Sequence, residues 1–238
     1  MSKPRVRYYF YRKGVTNNAA LSTKDSTGVS NIDISQATSG NQPTLKSRNN
    51  ASSTLDAGVS SILCDGSDFM SLASTETISA TTPYTIVCMW TGADYTNDTY
   101  LISSSTNDAH YGIQAGGTGI IAKPNGSKAA AAARTFATND THNSTTSYTF
   151  GSDVETLVIV NHGDLSLDFY NIDGDKIASV SNSQGMSASF PIDHVFGKSD
   201  GTKGLNGEFL ELAVYVNVEF IGGHAKAYGN VAKALKDL

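Results

Sequence analysis

The chain has 238 residues, of which 16% are charged, and its serines and threonines together number 53. It is thin in Leu, Glu, Lys and Arg, whereas its Gly, Ser, Thr, Asn and Asp suit turns and its Val, Ile, Tyr, Phe and Thr suit strands. That balance argues against a helical bundle, a coiled coil or a doubly wound α/β enzyme, and the net charge of −5 is too modest to name a partner.

The charge is unevenly spread. Residues 1–13 hold Lys3, Arg5, Arg7, Arg12 and Lys13 and no acid, leaving 12 basic and 22 acidic groups for the rest. A basic arm on an acidic body suits an acidic partner, and the plainer reading is a first strand with solvated arginines. Five cations without supporting basic clusters fall short of a nucleic-acid patch. The basic, aromatic N-terminus lacks the apolar core of a secretory signal. The longest apolar stretches, residues 86–90 and 157–160, fall below the ~18 residues of a membrane span. The expectation is a chain made in the cytoplasm without a signal peptide, with no membrane contact. Cys64 and Cys88 are expected to be buried free thiols.

Residues 5–11 alternate, with Val6, Tyr8 and Phe10 on one face, which predicts a strand. Residues 14–58 are rich in Thr, Ser, Asn and Gly with short apolar breaks at 32–34 and 43–45, and read as a linker or as loops wrapped around a sandwich. The division is thus an N-terminal strand or arm with extended loops at 1–58 and a second unit at 59–238. From residue 60 the rhythm is regular: strands at 61–64, 69–72, 84–90, 100–103, 111–114, 120–122, 155–161, 166–170, 176–180 and 209–216. Asp65-Gly66-Ser67-Asp68 and Asp173-Gly174 are the turn signals. Residues 129–133, an alanine run, read as a surface loop. After Gly222-Gly223, Ala225, Tyr228, Val231, Ala232, Leu235 and Leu238 recur at helical spacing, predicting a helix packed on the sheet and weakened by Gly229. Short strands with Gly/Asn/Asp turns predict an all-β sandwich or jelly roll of two antiparallel sheets with a short C-terminal helix.

Four segments carry a resemblance. Leu63-Cys64-Asp65-Gly66-Ser67-Asp68-Phe69, the apolar strand ending in Trp90, the hairpin over 157–176 and Leu205-Asn206-Gly207-Glu208-Phe209-Leu210-Glu211-Leu212 together resemble the laminin-G/concanavalin A-like jelly-roll superfamily. Asn41-Gln42-Pro43-Thr44-Leu45 resembles a lead-in of jelly-roll modules in bacteriophage particle proteins. The resemblance covers about residues 60–238. It implies the fold and a family spanning lectins, polysaccharide-cleaving enzymes, adhesion modules and virion proteins.

No catalytic set assembles from the sequence. The Glu-x-Asp-x-x-Glu pattern of jelly-roll glucanases is absent, and Glu208 and Glu211 have opposite parity, so a regular strand would turn them to opposite sides. Gly201-Thr202-Lys203-Gly204 has neither phosphate-loop spacing and reads as a turn. The five histidines are scattered, which argues against zinc. Calcium is the one metal with candidate ligands, at Asp168, Asn171, Asp173 and Asp175 and at Asp65 and Asp68. No cofactor is expected. Tyr95, Tyr111 and Tyr148 lie near Asn- and Asp-rich loops and are candidates for a glycan platform, with no single residue assigned to glycan binding. The sequons at Asn50, Asn97, Asn125, Asn139 and Asn143 reflect an Asn/Thr-rich surface.

The expectation is a non-enzymatic structural protein of a bacteriophage virion, on capsid or tail, displaying a jelly roll. Arg5, Arg7, Arg12 and Lys13 would supply charge and Tyr9 and Tyr11 aromatic anchors for docking on other virion proteins. A symmetric homo-oligomer, such as a trimer, fits that role. The alternative is a lectin-like module that binds host-surface glycan for attachment or adhesion.

Overall fold

A computed structural model describes residues 6–9, 34–46, 61–79, 81–105, 109–123, 142–145, 148–163, 166–180 and 189–235. Alternation along one strand explains the architecture. In β6 (Tyr84–Asp94), Tyr84, Ile86, Cys88 and Trp90 enter the main core, while Val87 and Met89 belong to two smaller clusters on the opposite face. A sheet apolar on both faces needs a layer on each.

The first sheet contains β13 (Lys176–Val180), β12 (Leu167–Tyr170), β11 (Glu155–Asn161), β6, β15 (Asn206–Val216), β4 (Ser61–Asp65) and β3 (Thr44–Lys46), in that order. β1 (Val6–Tyr9) pairs with β15 beyond the end of β4. The second sheet runs β10 (His142–Thr145), β9 (Gly119–Lys123), β8 (His110–Ile113), β7 (Thr99–Ser103), β14 (Phe190–Val195), β5 (Met70–Ile78) and β2 (Ile34–Ser35). Every ladder described is antiparallel. The segment ahead of residue 59 therefore contributes strands to both sheets. Residues 129–133 lie outside the described residues.

Between the sheets, Trp90, Phe169, Phe196 and Phe209 are buried in one core. Phe196 and Phe209 pack with ring centroids 4.5 Å apart. Cys64 and Cys88 are buried and free, as the sequence predicts, and burial pushes both thiols up, away from thiolate chemistry. The Tyr84 and Tyr111 hydroxyls share a hydrogen bond of 2.5 Å inside this core, which locks the first sheet to the second.

The outer face of the first sheet is covered by α1 (Gly222–Ala234), as the helical spacing predicts. Ala225 packs with Val87, Val158, Ala213 and Tyr215, and Ala232 and Leu235 pack with Met89 and Leu210. The structure gives Gly229 a second role. A Cβ at this position would lie 1.6 Å from the Ile172 carbonyl oxygen, so glycine lets the helix approach the β12–β13 turn. The residue weakens the isolated helix and seats it in the folded chain.

Candidate functional site

Three neighbouring strands of the helix-covered sheet finish at one edge. Asp65 closes β4, Asp94 closes β6, and Asn206 opens β15 between them, in register with both. Strands lie about 4.8 Å apart, which puts the two aspartate backbones roughly 10 Å from each other across Asn206. Loops from both sheets wall the opening and enclose a cavity of about 440 Å³. It is lined by Asp65, Gly66, Ser67, Asp94, Thr96, Asn97, Thr99, Thr202, Lys203, Gly204 and Asn206.

The same local sequence shapes three of the walls. Asp65 Oδ1 accepts from the Ser67 amide at 2.9 Å and its hydroxyl at 2.7 Å. Asp94 Oδ1 accepts from the Thr96 amide at 2.9 Å and its hydroxyl at 2.8 Å. Asp200 Oδ1 accepts from the Thr202 amide at 3.0 Å and its hydroxyl at 2.5 Å. Each Asp-x-Ser/Thr step is a self-bonded turn that satisfies backbone polar groups, the first two at the ends of β4 and β6 and the third in the loop before β15.

Backbone bonds tie the walls together. Gly66 donates to the Leu205 carbonyl at 3.0 Å, Gly204 donates to the Gly66 carbonyl at 3.1 Å, and Tyr100 donates to the Lys203 carbonyl at 2.8 Å. A Cβ on Gly204 would meet the Gly66 oxygen at 2.4 Å, so this approach requires glycine. Behind the turn, Phe69 donates to the Asn41 carbonyl at 3.2 Å and Gln36 Nε2 to the Phe69 carbonyl at 3.1 Å. Asn41 and Gln36 thus hold Phe69, the residue that follows the Asp65–Asp68 turn.

The electrostatics separate two adjacent acids. Hydrogen bonds from Ser67 hold the Asp65 carboxyl below the usual range. Burial pushes Asp68 up to about 6. Its Oδ2 accepts from the Asp65 amide at 2.9 Å, and Asp68 does not line the cavity. Because its folded pKa exceeds the unfolded one, Asp68 stabilises the fold below about pH 4 and loses that contribution as pH rises through about 6. Asp68→Asn keeps the acceptor without the charge. It should raise stability at pH 7.5 by on the order of 1–2 kcal/mol and leave pH 4 unchanged. Urea midpoints at the two pH values measure this, and an equal change at both would refute the assignment.

The aromatic candidates do not form a platform. Tyr111 is in the core, Tyr95 is buried with its hydroxyl accepting from Trp90 Nε1 at 2.6 Å, and half-buried Tyr148 donates to Glu155 Oε2 at 2.6 Å. Each ring is engaged by the core or by its own hydrogen bond. Of the four candidate ligands around Gly174, Asp168, Asn171 and Asp173 already have partners. Asn171 Oδ1 accepts from the Asp173 and Asp175 amides, Asp173 pairs with Lys233, and Asp168 accepts from Ser179 Oγ at 2.5 Å. Among the described residues no three His, Cys, Asp or Glu side chains gather as a metal site.

The parity argument for Glu208 and Glu211 fails. The β15–β6 ladder shifts between Phe209 and Glu211, so Phe209 and Leu212, three apart, both enter the core. Glu208 stands opposite Thr91 and Glu211 opposite Met89, which puts both acids on the helix-covered side. Both are buried, and Glu208 Oε2 accepts from Ser61 Oγ at 2.5 Å. Of the docking candidates, Arg7 and Tyr9 lie in β1, paired with Ala213 and Glu211 of β15. Arg5, Tyr11, Arg12 and Lys13 lie outside the described residues. The sequence reading recognised residues 201–204 as a turn but missed Asp94, Asn97 and Asn206 as parts of one cleft. The repeated Asp-x-Ser/Thr step, at 65–67, 94–96 and 200–202, was the available signal.

No protein-family model and no curated protein matches this chain. Solved structures do. A mutant of HCR/D aligns with TM-score 0.60 and 11% identity over 96% of this chain and 51% of its own. A Trypanosoma rangeli sialidase aligns with TM-score 0.56 and 12% identity over 95% of this chain and 32% of its own. A botulinum neurotoxin type C protein, whose cell entry depends on two ganglioside molecules, aligns with TM-score 0.52 and 11% identity over 97% of this chain and 51% of its own. The chain is a jelly-roll β-sandwich. Identities this low show the shared fold alone, and the chain spans between a third and about half the length of these neighbours.

Proposed function

We propose that this jelly roll is a non-catalytic carbohydrate-binding module and that the Asp65–Asn206–Asp94 cleft holds the sugar. The observation that carries this is the register of those three residues, an amide between two carboxylates on adjacent strands. A sugar ring presents vicinal hydroxyls that donate and accept. The Asp65 and Asp94 carboxylates and the Ser67, Thr96, Thr99 and Thr202 hydroxyl oxygens, whose protons are given within the walls, can accept, and the Asn97 and Asn206 amides can donate, around one opening. The non-catalytic reading draws support from the two acids of the turn: the one facing the cleft is held ionised, and the one with a raised pKa is buried behind it. Such a cleft, small and polar, suits a Kd on the order of 1 mM for one site, strengthened by multiple copies.

The finer reading places the module on a bacteriophage virion, where it would serve host attachment as a homo-oligomer docked on other virion proteins. The resemblance of residues 41–45 to phage lead-ins supports it. A glycan array with the intact chain, followed by assay of the bound sugars for new reducing or unsaturated ends, tests the module. Saturable binding without cleavage is expected; cleavage, or an array blank at every sugar, contradicts it. Copurification with virus particles tests the location.

A further inference from the structure

The charges around the cleft are unbalanced in a way that selects among sugars. Asp65 and Asp94 line the opening. Lys203 lines it as well, yet its Nζ is 3.3 Å from Asp98 Oδ2, and Asp98 Oδ1 takes the Ala115 amide at 3.0 Å. On the wall that bears Thr202, Lys198 Nζ is 3.6 Å from Asp200 Oδ2. Each lysine therefore faces an aspartate of its own, and the carboxylates described around the cleft, Asp65, Asp68, Asp94, Asp98 and Asp200, outnumber the two ammonium groups. Of the three that face no lysine, Asp65 and Asp94 line the cleft on either side of Asn206 and Asp68 is buried behind it. The whole chain adds to the field, with its net charge of −5.

We propose that the cleft takes uncharged or amine-bearing sugars and rejects sugars that carry a carboxylate, sialic acid above all. This rests on the carbohydrate-binding reading of the same cleft and names its ligand class. A sugar carboxylate seated between Asp65 and Asp94 would face two like charges, while the lysines described around the cleft, Lys203 and Lys198, each already face an aspartate. A protonated hexosamine amine in that place gains the same interaction with opposite sign. At low ionic strength two such charges change affinity by about tenfold or more, and salt screens the effect.

The test uses the full chain and two matched pairs of oligosaccharides, read by calorimetry or by amide shifts at 20 mM and 500 mM NaCl. One pair is N-acetyllactosamine and its sialylated form; the other is a glucosamine trimer and its fully N-acetylated form. The sialylated ligand should bind about tenfold more weakly than its neutral partner at low salt, with the gap narrowing at high salt. The free-amine trimer should bind more tightly than the acetylated one. Asp94→Asn, which keeps an acceptor for the Thr96 turn, should shrink both gaps while far-ultraviolet circular dichroism stays unchanged. Equal or tighter binding of the sialylated sugar would overturn the selectivity and leave the carbohydrate-binding reading standing. Failure of all four ligands to bind would overturn that reading and the selectivity with it.

Discussion

Replacing Gly229 by alanine should unseat the C-terminal helix. The new methyl would stand 1.6 Å from the Ile172 carbonyl oxygen and 2.7 Å from its carbon, both backbone atoms that cannot rotate away. Helix and turn must separate by more than an ångström, and the helix start is also close-packed, though less so: a Cβ on Gly222 would lie 2.7 Å from the Gly174 carbonyl oxygen. Separation exposes the apolar seam of Ala225, Ala232 and Leu235 against the sheet. Alanine gains about 1 kcal/mol of helix propensity, which offsets part of the strain. The net loss should be about 2–4 kcal/mol, lowering Tm by roughly 5–12 °C for a chain of this size. Propensity alone predicts the opposite sign. A Tm equal to or above the parent's would show that the helix does not bear on the Ile172 carbonyl.

Removing both cleft carboxylates is expected to abolish sugar binding. Asp65→Ala with Asp94→Ala deletes two charged acceptors from the opening, and each hydrogen bond to a charged group contributes about 1.5–3 kcal/mol. Affinity should fall by more than tenfold, beyond measurement for a millimolar ligand. Each alanine also frees a turn amide and hydroxyl, at Ser67 and Thr96. The paired asparagine variant, which retains the turns, separates lost binding from lost fold. Unchanged affinity in a folded double alanine variant would place the site elsewhere.

Much of the fold was legible because β6 alternates from Tyr84 to Trp90, with both of its faces apolar once α1 is added. The Asp65–Asp68 and Asp173-Gly174 turns and the helix were also readable, since each has local chemistry that dictates it. β2 and β3, of two and three residues, are too short to carry a period. β14 hides behind Pro191 and a register shift between Ile192 and His194, which break its alternation. The same kind of irregularity spoiled the parity of Glu208 and Glu211. The cleft was hardest to see because its parts come from three segments, 65–67, 94–99 and 202–206, joined only by the pairing of β4, β15 and β6. Nothing local marks Asn206 as a neighbour of both aspartates. Tyr95, Tyr111 and Tyr148 misled because proximity to polar loops in sequence does not say which way a ring points.

The most direct measurement is an amide-shift titration of the isotopically labelled chain with a neutral oligosaccharide. Saturable shifts gathered at residues 65–67, 94–99 and 202–206, with a Kd on the order of 1 mM, are what the cleft predicts. Shifts centred on another face, or none up to about 10 mM sugar, would contradict it.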